Sequence, residues 1–333
     1  MKKLLVLLLV ICCSLSALCQ LTPEHVGLKH YSYASPTLGS INYYVSTAKI
    51  DSLKPVLLYI DGSGPLPLYQ YTNAGIMGSI PFDIKEISKQ YHLVVISKPG
   101  VPFADSVHYI DSTGYPQSRM PDEYRKRLSL NWRVNACNAV LKDIGKHLKI
   151  DKKHIVILGI SEGFQVGAGL LSVNKSITHA ILLVGNGLNQ FYDFIVQART
   201  DAVAGRISYD DAEGYIKQLQ EEIADIYAHP NATDKEWQGH TYLRWSSFCN
   251  TTPMEHILAS DIPIYIAVAS RDRNTSMLSA DYIYLESLKR GRKNISYHVL
   301  PYDHMFNEFA GDNPKPVANH TFDVITSALK WVK

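Results

Sequence analysis

Cysteine is scarce in this sequence: the 333-residue chain has 5, and three of them, Cys12, Cys13 and Cys19, fall within the first 19 residues. Cys137 and Cys249 alone cannot form a disulfide framework, which excludes the stapled class of small secreted domains. A surplus of one charge is also missing. Lys and Arg number 33 against 31 Asp and Glu, and the difference equals Lys2 and Lys3. Neither the basic balance of a nucleic-acid binder nor a basic amphipathic helix for a membrane surface is present. His-Glu-X-X-His and Cys-X-X-Cys do not occur, so no metal or other cofactor is expected. Repeats and low-complexity tracts are lacking too. What is there, 46% hydrophobic and 19% charged residues, suits a chain that folds around a sizeable core.

Lys2-Lys3 precede an apolar run from Leu4 to Cys13 and then Ser14 to Gln20. A basic start, a short apolar centre and a small-residue exit read as a secretory signal over residues 1–19, cleaved near Cys19-Gln20. The run is too short for the about 20 apolar residues of a spanning helix, so no transmembrane domain is expected. The mature chain, 20–333, is then secreted or periplasmic. A lipid anchor on Cys19 is the alternative. A bacterial lipobox would place Leu three residues before the cysteine and a small residue just before it, whereas Ser16 and Leu18 stand there.

Beyond the signal, short Val/Ile/Leu runs alternate with helical spacing, the pattern of parallel β-α-β units. The strands predicted are Ile41–Ser46, Val56–Ile60, Leu93–Ser97, His154–Ile160, Ala180–Val184, Ile264–Ala269 and Ile295–Leu300. Helices are predicted over Asp122–Leu148, Glu162–Val173, Met277–Lys289 and Val317–Val332. Cys137 shares a stripe with Val134, Val140, Leu141 and Ile144, which predicts a buried thiol. The connection from Val184 to Ile264 far exceeds the dozen or so residues that a crossover needs. Helical spacing over Gln190–Ala204 and Asp210–His229, the latter with Tyr215, Leu219, Ile223 and Ile226 on one face, predicts a helical cap at about 188–256 rather than a second domain. Trp237, Tyr242, Trp245 and Phe248 are expected to pack this cap against the sheet or to line a pocket roof.

Gly159-Ile160-Ser161-Glu162-Gly163 stands directly after a predicted strand and directly before a helix. Gly-X-Ser-X-Gly in that context is a nucleophile elbow: Gly159 and Gly163 give the backbone clearance of a very tight turn, and the strained Ser161 at its tip is exposed. As a bare five-residue pattern, the same serine could instead cap the helix. On these residues the chain resembles the α/β-hydrolase fold superfamily over almost all of residues 20–333. The resemblance implies a mostly parallel central sheet with helices on both faces and a helical cap inserted after the sixth strand. It also implies a chain order of nucleophile, acid and histidine. Asp272 follows the strand Ile264–Ala269, where the family carries its acid. His304, in Pro301-Tyr302-Asp303-His304-Met305-Phe306, follows the last strand and has an aromatic two residues on. Asp303 and Asp281 are the alternative acids.

The resemblance further implies backbone N–H donors for a tetrahedral oxyanion. These are Glu162 after the nucleophile and Ser63 in the loop Asp61-Gly62-Ser63-Gly64-Pro65, with Gly62 and Gly64 as alternatives. That loop has no Lys-Ser/Thr after its glycines and so is not a phosphate loop. Lys98-Pro99-Gly100 departs from the Arg-Gly-X-Gly that many relatives show in a loop bordering the substrate. The function expected is a secreted serine hydrolase that forms an acyl-enzyme on a small-molecule carboxylic ester. The elbow and the Gly-Ser-Gly-Pro loop also look similar to hydrolases related to prolyl oligopeptidase and to serine aminopeptidases, so a short peptide is the alternative substrate. Asp210, Asp211, Glu213, Glu221 and Glu222 in the cap would then be candidates to hold an ammonium. A non-catalytic binding protein of the same fold would instead show a damaged elbow or triad.

Overall fold

The computed structural model describes residues 20–110, 116–311 and 315–332; the predicted signal, with Cys12, Cys13 and Cys19, lies outside the described residues. Eight strands form the main sheet: β1 (Leu28–Ser35), β2 (Gly39–Ser46), β3 (Lys54–Ile60), β4 (His92–Ile96), β5 (Ile150–Ile160), β6 (His179–Leu183), β7 (Ile264–Ala269) and β8 (Ile295–Leu300). Their spatial order is β1-β2-β4-β3-β5-β6-β7-β8. β2 runs antiparallel to both its neighbours, and every other pairing is parallel.

The helices, in chain order, are α1 (Ile84–Gln90), α2 (Asp122–Arg127), α3 (Leu130–Ile144), α4 (Glu162–Val173), α5 (Gln190–Val203), α6 (Tyr209–Ala228), α7 (Tyr242–Phe248), α8 (Pro253–Leu258), α9 (Met277–Lys289) and α10 (Thr321–Trp331). Central strands read as continuous apolar runs because both faces are covered. Alternate residues divide between two cores. Val56, Leu58, Ile155 and Ile157 pack with α3, α4, α8 and α9, whereas Leu57, Tyr59, Val156 and Leu158 pack with α1 and α10.

Local chemistry moves several predicted boundaries. The helix expected over Asp122–Leu148 is two, because Ser129 caps α3 by accepting the Trp132 N–H at 3.1 Å, an extended-backbone device that breaks the first helix. The final helix begins at Thr321, not Val317. β1 and α1 lie outside the predicted elements. β1 is an edge strand whose Lys, His, Ser and Tyr side chains carry no apolar run.

Between β6 and β7 the chain leaves the sheet to form α5, α6, a two-residue-per-strand hairpin (Glu236–Trp237 with His240–Thr241), α7 and α8. The buried stripe of α6 is Ala212, Ile216, Leu219 and Ile226; Tyr215, expected on that face, is exposed. Trp237, Tyr242 and Trp245 gather with Phe191, Phe194 and Ile226 in a core of their own, and Phe248 belongs to the main core. Cys137 and Cys249 are buried, free thiols in those separate cores.

Candidate active site

β5 passes into α4 through a single residue, Ser161, at φ 58° and ψ −120°, a region that non-glycine residues rarely occupy and that stores strain. The turn is so tight that a Cβ on Gly159 would sit 2.2 Å from the Gly163 oxygen, and one on Gly163 would sit 2.1 Å from the Ile60 oxygen. Both glycines are therefore obligatory. The Ser161 N–H donates to the Leu183 oxygen at 3.0 Å, which ties the strained residue to β6.

Two further loops meet it at the same sheet edge, beyond the carboxyl ends of β7 and β8. Ser161 Oγ lies 2.9 Å from His304 Nε2, and His304 Nδ1 lies 2.7 Å from Asp272 Oδ2. The Asp272 carboxylate also accepts from Asn274 N–H (2.7 Å), Thr275 N–H (2.9 Å) and Thr275 Oγ1 (2.7 Å). Its own loop thus fixes its orientation. With a carboxylate as acceptor, Nδ1 carries the imidazole proton and Nε2 is left to accept from the serine. The two alternative acids are engaged elsewhere. Asp303 accepts the N–H groups of Met305 and Asn307, which folds the turn that presents His304, and Asp281 accepts from Tyr297 Oη.

On the other side of Ser161 lies a buried group of charges. The Glu162 carboxylate receives Arg133 Nη1 at 2.7 Å and Arg244 Nε at 3.1 Å. Arg133 also pairs with Asp61 and donates to its backbone oxygen. Lys98 Nζ donates to Asp61 Oδ2 (2.6 Å), the Gly62 oxygen (2.7 Å) and the Gly64 oxygen (2.8 Å). Burial would raise the Glu162 carboxyl, and Arg244, Arg133 and Lys98 overcome it and hold the group at about 2. Burial lowers the Lys98 ammonium, against the pull of Asp61.

Because the Gly62 carbonyl faces Lys98, the trans peptide plane turns the Ser63 N–H the opposite way, and Gly62 and Ser63 both line the cavity around Ser161. Gly62 is close to the serine: a Cβ there would stand 3.7 Å from Ser161 Oγ. Glu162 opens α4, so its N–H has no partner within the helix.

This charge cluster is what sequence reading missed. Lys98 was expected in a substrate-bordering loop and is instead buried beneath the neighbouring one. Arg133 sits one helical turn before Cys137 in a stripe read as apolar, and Arg244 lies among aromatics. The one available signal was a lysine directly after a doubly buried strand, opposite an aspartate directly after another.

The cavity holds about 720 Å³ and is lined by Ser161, His304, Gln190, Phe194, His240 and Trp245, among others. The cap contributes one carboxylate to it, Asp193. Burial pushes Asp193 up to about 7, and it accepts from Asn186, Ser276 N–H and Ser279. None of Asp210, Asp211, Glu213, Glu221 and Glu222 lines the cavity; Glu213 pairs with Arg199, and Asp211 accepts from Ser208.

No family model matches the chain, and no curated protein matches it. Among solved structures it is similar to acylaminoacyl peptidase from Pyrococcus horikoshii, at 14% identity and a TM-score of 0.51 over 83% of this chain and 37% of that one. Dipeptidyl peptidase 4 of Porphyromonas gingivalis matches at 12% identity and 0.52 over 92% of this chain and 35% of that one. A bacterial membrane phospholipase A matches at 13% identity and 0.52, over 100% of this chain and 99% of that one. The chain thus spans little more than a third of either peptidase. These likenesses establish the class: the protein has the α/β-hydrolase fold. Among the described residues no helix is long and apolar enough to cross a membrane.

Proposed function

We propose that the protein is a serine hydrolase that cleaves a carboxylic ester through an acyl-enzyme, exported after loss of residues 1–19. The observation that carries this reading is the aligned pair of contacts, Ser161 Oγ to His304 Nε2 at 2.9 Å and His304 Nδ1 to Asp272 at 2.7 Å. Ser161 Oγ attacks the ester carbonyl as its proton passes to His304 Nε2, and Asp272 stabilises the imidazolium. The carbonyl oxygen becomes an oxyanion facing the Glu162 and Ser63 amides. Collapse breaks the C–O bond, and His304 returns the proton to the departing alkoxide. Water then adds to the acyl-enzyme, again losing a proton to His304, and the acid leaves with Ser161 restored.

The peptidase alternative draws support from the names of two structural neighbours, but the cap carboxylates it would use stand away from the cavity. Asp193 is buried and already accepts from three donors of the chain itself. This favours an ester over a substrate anchored by its ammonium.

The test compares short-chain nitrophenyl esters with aminoacyl and Xaa-Pro nitroanilides, using the purified protein and Ser161→Ala. Ester turnover that vanishes in the variant is expected. Preferential anilide cleavage would install the peptidase, and folded wild-type protein inert toward both would overturn the reading. The export proposal predicts a mature N-terminus at Gln20, read by mass spectrometry of the protein recovered from outside the cytoplasm.

A further inference from the structure

Lys98 has no direct part in the chemistry proposed above, yet its surroundings are built around it. Its side chain is 2% exposed, and its three ammonium protons meet three acceptors, all in the loop from Asp61 to Gly64. That loop belongs to no strand or helix. The direction of its peptide planes is therefore set by what its carbonyls bind. The Gly62 oxygen has one close donor, Lys98 at 2.7 Å, with Arg133 more distant at 3.4 Å. The Gly64 oxygen accepts from the same ammonium at 2.8 Å, which clamps the loop on both sides of Ser63.

Charge points the same way. Lys98, Arg133 and Arg244 face two carboxylates, Asp61 and Glu162. By formal charge the cluster thus carries one cation more than its anions beside the loop and the elbow, with Lys98 and Arg133 almost wholly buried.

We propose that Lys98 is a positioning residue for oxyanion stabilisation. It holds the Gly62–Ser63 peptide with its N–H turned to the cavity and supplies the positive charge behind it. This rests on the acyl-transfer reading. Without the ammonium, the Gly62 and Gly64 carbonyls lose their partner, the plane is free to rotate, and the cluster becomes neutral overall.

The test is Lys98→Met, which keeps the length of the side chain and removes its charge and donors. Active sites are titrated so that kcat refers to folded, competent protein. Losing one oxyanion donor typically lowers kcat about 10²–10³-fold, and a fall in that range is expected here with KM nearly unchanged. The affinity of a trifluoromethyl ketone, whose adduct with the serine carries the oxyanion, should fall by the same factor. A purely structural lysine would lower the yield or melting temperature and leave both per-site quantities intact; that result overturns the proposal, as does a change confined to KM. If Lys98→Met does not fold, Lys98→Gln, which retains an N–H donor, is judged by the same two quantities. Wild-type protein that neither turns over esters nor binds the ketone would refute the hydrolase reading itself. An active wild type with an unaffected Lys98 variant refutes only the role of the lysine.

Discussion

Ser161 and Glu162 are adjacent in the chain and serve opposite halves of the site. The serine opens to a cavity and to a histidine that is 13% exposed, and the residues there form a line along which one proton can travel. Glu162, 1% exposed, points into a cluster whose charges are paired and held. A reacting group needs a partner whose protonation can change, whereas a buried charge behind it is tolerable only when every partner is fixed. One sharp turn separates a movable proton from an immovable field.

The contrast predicts that damage on the two sides differs in kind. Asp272→Asn should lower kcat by about 10⁴, since the wrong histidine tautomer would face Ser161, while leaving urea unfolding close to wild type. Equal losses of stability and rate would erase the distinction. Glu162→Gln should act the other way, with a loss of about 3–5 kcal/mol of unfolding free energy, because buried Arg244 would lose its carboxylate and Arg133 would keep only Asp61; urea titration at neutral pH measures it.

A smaller effect sharpens the boundary between the cavity and the cluster. His240, with Nδ1 buried and unpartnered, is lowered to about 3 by burial and then by Arg244. Below the unfolded value near 6.5 the unfolded chain takes up a proton that the folded chain refuses, so stability falls as pH drops from about 6.5 toward 3. Asp193, raised to about 7 by burial, does the reverse, and its contribution is full below about 3.8 and lost as pH rises through 7. The two slopes oppose each other in the window they share. Relative to wild type, His240→Gln should tilt the slope of stability with rising pH downward there, and Asp193→Asn should tilt it upward. Chemical denaturation at pH 4.5, 5.5 and 6.5 distinguishes them. The smallest expectation is no change: a reductant should leave the melting temperature where it is, because both buried cysteines are free.

The two halves also differ in how far the sequence disclosed them. Ser161 stands in a motif whose glycines are dictated by backbone clearance, so five adjacent residues describe their own geometry. Asp272 and His304 could be placed because each follows a strand that reads as a β-branched apolar run, and the fully buried strand Ile264–Ala269 is legible to its last residue. The charged cluster is long-range: Asp61 and Lys98 come from two loops and Arg133, Glu162 and Arg244 from three helices, and no local spacing records that they meet. Elsewhere, Ser129 split a helix whose apolar periodicity ran straight through it, since periodicity reports burial and not capping. β1 escaped notice because an edge strand with one solvated face has no apolar run.

The most direct test of the central claim is to treat the folded protein with a fluorophosphonate and map the adduct by peptide mass spectrometry. A single adduct on the peptide containing Ser161, absent from Ser161→Ala, is the predicted result. A folded protein that takes up none, or an adduct that persists on another residue in the variant, would contradict it.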